Sequence, residues 1–166
     1  MIYKQSILLT TFILFTSFLY SQNTKVILNS VTITLPGPGE WKQIAKNEES
    51  GQWMFQNQKT KMTVSLSARQ KTKFEFYKDT LTDIQLITTF YKWDADYWSS
   101  NKENEVIELK TDNDKKYIVW RLKTPQGTNL VLSGIKADHL ISIQIPDNNS
   151  GHEEKEIEFI EAAYFD

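Results

Sequence analysis

From Val31 to Leu35 the apolar residues Val31, Ile33 and Leu35 alternate with Thr32 and Thr34, the two-residue period of a strand with one buried face. The run then meets "PGPG" at 36–39 and re-emerges on Trp41. Proline removes a ladder donor there and glycine supplies conformations that other residues resist, so the strand is expected to stop and the chain to reverse. Trp41 is expected to cap the end of the core as the next strand begins. "WKQIAK", "QWMFQNQ" and "KMTVSLSARQ" follow, with short polar connections at 47–51 and 58–60, and predict a meander of antiparallel strands. In the third, Met62, Val64, Leu66 and Ala68 point one way while Thr63, Ser65 and Ser67 point the other. That pattern predicts a sheet with one wet or lightly covered face.

After Lys71 the period changes. "TKFE" has the spacing of a capping box, although 74–77 would equally finish a strand, and from Thr80 to about Ser100 the apolar spacing is helical. Strand patterns resume with "VIELKT", the polar turn "DNDKK", "YIVWRLKT", the turn "PQGT", "NLVLSGIK" and "HLISIQIP". The loop "DNNSGH" leads into "EEKEIEFIEAAYF", whose acidic start suits a helix N-terminus and whose Ile157, Ile160 and Tyr164 share one face. The order ββββ-α-ββββ-α predicts an α+β fold: an antiparallel sheet of about seven to eight strands, one long central helix and a C-terminal helix.

Composition places this fold in a compartment. Lys4 precedes an uncharged stretch over 5–24 whose centre, "ILLTTFILFTSFLY", is apolar, with small Ser21 just ahead of Gln22. That is the layout of a secretory signal peptide over 1–21, leaving 22–166 as a single domain. The apolar centre is shorter than the roughly 20 residues that span a bilayer, so the membrane is expected to be met only transiently, through the leader. The mature protein is expected to be exported, to the periplasm or beyond the cell. With no cysteine, neither a lipoprotein anchor nor a disulfide is available, and burial has to supply stability; the five tryptophans, all downstream of Ser21, fit that demand. Losing the leader removes Lys4 and moves the formal charge from −2 to −3. No basic block remains to attract nucleic acid or anionic lipid.

The strand, "LP", short loop and tryptophan of "TLPGPGEW", together with the element order, resemble the PsbP-like and DcrB-like domains of exported bacterial proteins. The resemblance rests on that stretch for local sequence and on topology for the rest of the mature chain. It implies binding to another protein, and it brings no catalytic motif.

The residues themselves offer little chemistry. His139 and His152 are separated by a whole strand with no cysteine to assist them, so the ligand spacing of a zinc site is absent. "DNDKK" offers Asp112, Asn113 and Asp114 but lacks the longer run and distal glutamate of a calcium loop, and reads as a hairpin turn. Ser133 lies inside a strand pattern rather than on a sharp strand-to-helix turn, and adjacent Asp138 and His139 on a strand point to opposite faces. Asp94 and Asp96 in "KWDADYW" are two apart on a helix and do not face each other. No catalytic residue, metal site or cofactor is assigned.

The long helix is the informative element. Leu81, Ile84, Ile87, Thr88, Tyr91, Ala95 and Trp98 form one apolar arc, the expected core stripe. Leu86, Phe90, Trp93 and Tyr97 form a second, narrower one, with Asp83 and Asp94 at its margins. A helix lying on a sheet needs only one stripe. Either another part of the chain covers the second (the C-terminal helix, the segment before Val31, or a loop), or it is an aromatic contact surface. The functional expectation is a protein-binding module of the cell envelope, of chaperone, immunity or assembly type, acting through Leu86, Phe90, Trp93 and Tyr97 with Asp94 as polar rim. The rivals are a carbohydrate-binding or carbohydrate-active protein using a concave aromatic site around Trp93, Tyr97 and Trp98 with Asp94 or Asp96, and a plain structural domain whose aromatics compensate for absent disulfides.

Overall fold

The computed structural model describes residues 23–147 and 153–165. The expected leader, His152 and most of the "DNNSGH" loop lie outside them. Nine strands and two α-helices occur among the described residues, in the order β1 (Thr24–Leu28), β2 (Val31–Leu35), β3 (Trp41–Asn47), β4 (Gln52–Asn57), β5 (Thr63–Gln70), α1 (Asp83–Ser99), β6 (Glu105–Asp112), β7 (Tyr117–Thr124), β8 (Gly127–Lys136), β9 (His139–Asp147) and α2 (Glu153–Phe165). The α+β class, the central helix and the C-terminal helix are as the pattern predicts, with one further strand, β1, in front.

β1 and β2 form a two-stranded sheet of their own, closed by Asn29 and Ser30, both at positive φ, the conformation a two-residue hairpin loop demands. The other seven strands form one antiparallel sheet in the order β3-β4-β5-β9-β8-β7-β6. Two meanders, β3 to β5 and β6 to β9, are thus joined by β5 pairing with β9, from Ser65 opposite Gln144 to Gln70 opposite His139.

The "PGPG" segment therefore does not turn β2 back onto a neighbour. It carries the chain from the small sheet to the large one, because β3 pairs with β4 and β2 with β1. Gly39 sits at φ +99°, and a Cβ there would stand 2.9 Å from the Lys59 Cβ, so both its conformation and its crowding require glycine. Trp41 is buried, as expected. Its indole donates to the Pro36 carbonyl at 3.2 Å, its amide to Thr24 Oγ1 at 3.3 Å, and its ring lies 5.9 Å from Phe159 of α2. One side chain thereby ties both sheets to the C-terminal helix.

The main core lies on the face shared by α2 and the β1–β2 hairpin. Leu28, Ile33 and Leu35 of the hairpin and Ile160, Ala163 and Tyr164 of α2 bury against Leu66, Leu132, Ile141 and Ile143 of the sheet. α1 packs on the opposite face over β6, β7 and β8. It covers that half and leaves β4, β5 and the adjoining part of β9 open, where Gln52, Ser67 and Ser142 stand side by side in register and Met54, Ser65 and Gln144 form the next row. This is the wet face that the Thr63, Ser65 and Ser67 alternation predicts.

Candidate functional site: the cleft beside the long helix

α1 begins at Asp83, capped by Thr82, whose hydroxyl accepts from the Gln85 amide while the Gln85 side chain accepts from the Thr82 amide. The helix thus starts close to Thr80, as the spacing predicts, and "TKFE" forms neither a helix cap nor a strand end: a short 3₁₀ turn spans Lys71–Lys73, and nine residues of irregular chain precede the helix. That irregular segment matters, because Phe74 and Phe76 fold back along α1.

Both expected stripes touch the protein interior, in different ways. Ile87, Tyr91 and Trp98 pack on Ile118, Trp120, Leu122 and Val131, with Tyr91 and Trp120 ring centroids 5.8 Å apart. The second stripe splits along its length. Leu86 and Phe90 are buried against Leu140 under Phe74, Phe76 and Tyr77. Assigning these two to a partner-facing surface is therefore corrected: the segment between β5 and α1 covers them within the monomer. Trp93 remains 43% exposed and Tyr97 67% exposed. Trp93 is held by rings on its inner side, 6.0 Å from Phe74 and 5.9 Å from Phe76. Asp83, expected beside Asp94 at the stripe's margin, instead pairs with Lys116 at 2.6 Å.

Where α1 leaves the sheet face uncovered there is a cleft of about 390 Å³. Trp93, Asp94, Tyr97 and Trp98 form its helical wall, with Phe74 and Phe90 at one end. Trp120, Val131 and Leu140 give it an apolar base beneath the helix, while Gln52, Ser67, Ser142 and Gln144 give it a polar floor toward the open sheet. Among the described residues none hydrogen-bonds those four polar side chains. Arg69 stands at the margin, its guanidinium 5.3 Å from the Phe74 ring centre.

Asp94 is the one carboxyl among the described residues lining the cleft, and it is strongly perturbed. Burial pushes it up from 3.8 to about 6, and the Trp98 indole draws it part of the way back. No positive side chain contributes to that balance. Asp96 is exposed and does not line the cleft, so the two acids of "DAD" do not converge.

The other candidate chemistry resolves into structure. Ser133 is fully buried and its hydroxyl accepts the Trp120 indole N–H at 3.1 Å. Asp138, in the β8–β9 turn, pairs with Lys71 at 2.6 Å, and the adjacent His139 ring donates from Nδ1 to the Ala137 carbonyl at 2.7 Å. Asp112 Oδ1 accepts the Lys115 amide at 2.9 Å as a turn residue. Among the described residues no group of three or more histidine or acidic side chains is placed to hold a metal ion.

Sequence patterning missed the floor of the site; it placed Trp98 in the core stripe and, for the carbohydrate rival alone, beside Trp93 and Tyr97, where the cleft has it. The floor's one accessible signal was the polar alternation of β5. The partnership of Ser67 with Ser142 and of Gln52 with Ser67 needs the strand order, which no local pattern supplies.

No protein-family model matches the chain, and no curated protein is detectably similar to it in sequence. Among solved structures, it is similar to the solution structure of cyanobacterial PsbP (CyanoP) from Synechocystis sp. PCC 6803, at a TM-score of 0.56 and 12% sequence identity over 85% of this chain and 89% of that one. Likeness at that identity concerns architecture, and the fold of this chain is PsbP-like.

Proposed function

We propose that this chain is an exported, non-catalytic binding module that holds another envelope or secreted protein in the cleft beside α1, in the manner of a chaperone, immunity factor or assembly factor. The observation that carries the reading is that Trp93 and Tyr97 stand exposed over a concave site of about 390 Å³ while the remainder of their stripe is buried. Exposed aromatics beside a recess are the anchors that partner proteins use, because they bury much apolar area at little conformational cost. The PsbP-like fold supports an accessory role, and the DcrB-like resemblance of "TLPGPGEW" and of the topology belongs to the same reading. Export rests on the leader layout of 1–21; among the described residues no helix is long and apolar enough to cross a membrane.

The carbohydrate alternative retains only one of its two acids, since Asp96 lies outside the cleft. The test is co-purification of the tagged mature protein from its native envelope extract, wild type against the Trp93→Ala, Tyr97→Ala double variant. A partner that is captured by wild type and lost by a variant melting at a similar temperature is the expected outcome. A partner retained by the variant would place docking elsewhere.

A further inference from the structure

Eight ion pairs join acidic and basic side chains of the described residues, and Asp94 is in none of them. It sits on the helical wall of an aromatic cleft, with Trp93, Tyr97 and Trp98 from its own helix and Phe74 across the end. A partly buried carboxylate normally has a cation or a set of hydrogen-bond donors to offset its lost hydration. Here burial is the dominant influence on the group and no positive side chain opposes it. Among the described residues the only cation lining the cleft, Arg69, is engaged with the face of Phe74 and makes no ion pair with Asp94.

Building on the docking reading above, we infer that the cleft captures a cationic side chain, arginine or lysine, projecting from a basic segment of the partner protein, between the aromatic wall and the Asp94 carboxylate. Three features of the site converge on that occupant. Its ring faces are the negative poles of aromatic quadrupoles, which attract cations most where water is excluded. Its single carboxylate supplies the countercharge. Its floor supplies hydroxyl and amide oxygens from Ser67, Ser142, Gln52 and Gln144 to accept the remaining N–H groups of a guanidinium or ammonium. Arg69 over Phe74 is an intramolecular instance of the same cation-on-ring contact at the margin of the site.

A neutral probe of the same shape isolates the charge. The Trp93 and Trp98 indole N–H resonances of the mature protein are followed by NMR during titration with Nα-acetyl-argininamide and, separately, with the citrulline analogue, in which a urea replaces the guanidinium. Saturable shifts with the arginine compound, weaker by about tenfold with the citrulline compound and in Asp94→Asn, are expected from the loss of a charge-assisted contact. Asparagine keeps the shape of the side chain and an oxygen toward Trp98, so the variant is expected to remain folded, and the dispersion of its indole resonances checks this. Equal shifts from both compounds, no shifts from either, or displacement of these resonances by a neutral oligosaccharide instead would overturn the inference. The docking reading is tested separately: if the arginine compound is without effect but the Trp93→Ala, Tyr97→Ala variant still loses its co-purified partner, docking stands and the cation inference falls, the cleft taking a partner of another chemistry. If that variant keeps the partner, both readings fall.

Discussion

The Tyr164 ring lies so close over Gly134 that a Cβ on that glycine would stand 2.6 Å from ring carbon Cε2. The same tyrosine accepts the Ile135 amide at 3.1 Å and donates to the Ile135 carbonyl at 2.6 Å, while Lys136 Nζ reaches the Tyr164 carbonyl at 3.2 Å and the Thr32 carbonyl at 3.1 Å. Burial pushes the phenol up to about 12, so it stays a neutral donor at any physiological pH. This knot fastens α2 to β8 and to the β1–β2 hairpin. Gly134→Ala is expected to destabilise the fold by about 2–3 kcal/mol, since the added methyl meets a ring with no room to retreat. Tyr164→Phe is expected to cost about 1–3 kcal/mol through the backbone groups it leaves unpaired. Urea unfolding of the two variants checks both values, and a Gly134→Ala protein as stable as wild type would show that α2 can shift on the sheet.

The halves of the second stripe predict opposite responses to truncation. Phe90 lies 5.3 Å from Phe74 and is buried with Leu86 against Leu140. Phe90→Ala is therefore expected to cost about 3–5 kcal/mol. Tyr97, two-thirds exposed, is expected to change stability by no more than about 0.5 kcal/mol when replaced by alanine. Thermal melts of the two variants side by side test the split. A large loss from Tyr97→Ala would mean that the outer half of the stripe is also structural.

That split shows where sequence patterning reaches its limit. The period of 3.6 correctly marks two apolar arcs on α1, but periodicity says only that a face is apolar, not what lies on it. The cover came from Phe74 and Phe76, in a segment without regular structure and therefore without a period. β1 was obscured for a related reason: Val26 and Leu28 are buried while Ile27 between them is 69% exposed, so "VIL" shows no alternation. The strands with clean alternation, β2 and β5, and the turn-bounded runs from β6 to β9 were legible because one-face burial imposes a period of two. The cleft was legible only as its helical wall; its floor is made by pairing residues far apart in the chain, Ser67 with Ser142 and Ser65 with Gln144.

Trp41 answers for the abrupt end of β2 and carries a prediction of its own. Its amide and indole both reach back to the small sheet and its linker, and its ring meets α2. Trp41→Phe keeps much of the buried ring but removes the donor to Pro36, and is expected to cost about 1–2 kcal/mol. Trp41→Ala adds a cavity beneath Phe159 and is expected to cost about 3–5 kcal/mol. Hydrogen exchange localises the effect: amides of the β1–β2 ladder are expected to lose protection before those of β7 and β8, because the indole bond holds Pro36, the residue that directly follows β2. Uniform loss of protection would contradict that role.

Asp94 links stability to pH in a direction set by its environment. Its folded-state value, about 6, lies above the ordinary 3.8, so the native state binds more protons than the unfolded state between those values. The protonated carboxyl favours the fold most fully below about pH 4, and that contribution is lost as pH rises through about 6. The full shift corresponds to roughly 3 kcal/mol, and partial exposure of the group lowers the expected effect to about 1–2 kcal/mol. Asp94→Asn removes the charge and keeps the shape. It is accordingly expected to be more stable than wild type by that amount at pH 7.5 and equal to it at pH 4, as measured by urea unfolding at both values. Arg69, the other charged side chain among the described residues lining the cleft, makes no contribution to the Asp94 balance. A variant that is less stable at pH 7.5 would mean that the ionised carboxylate is already compensated within the chain, and would remove the reason for the cleft to seek a cation.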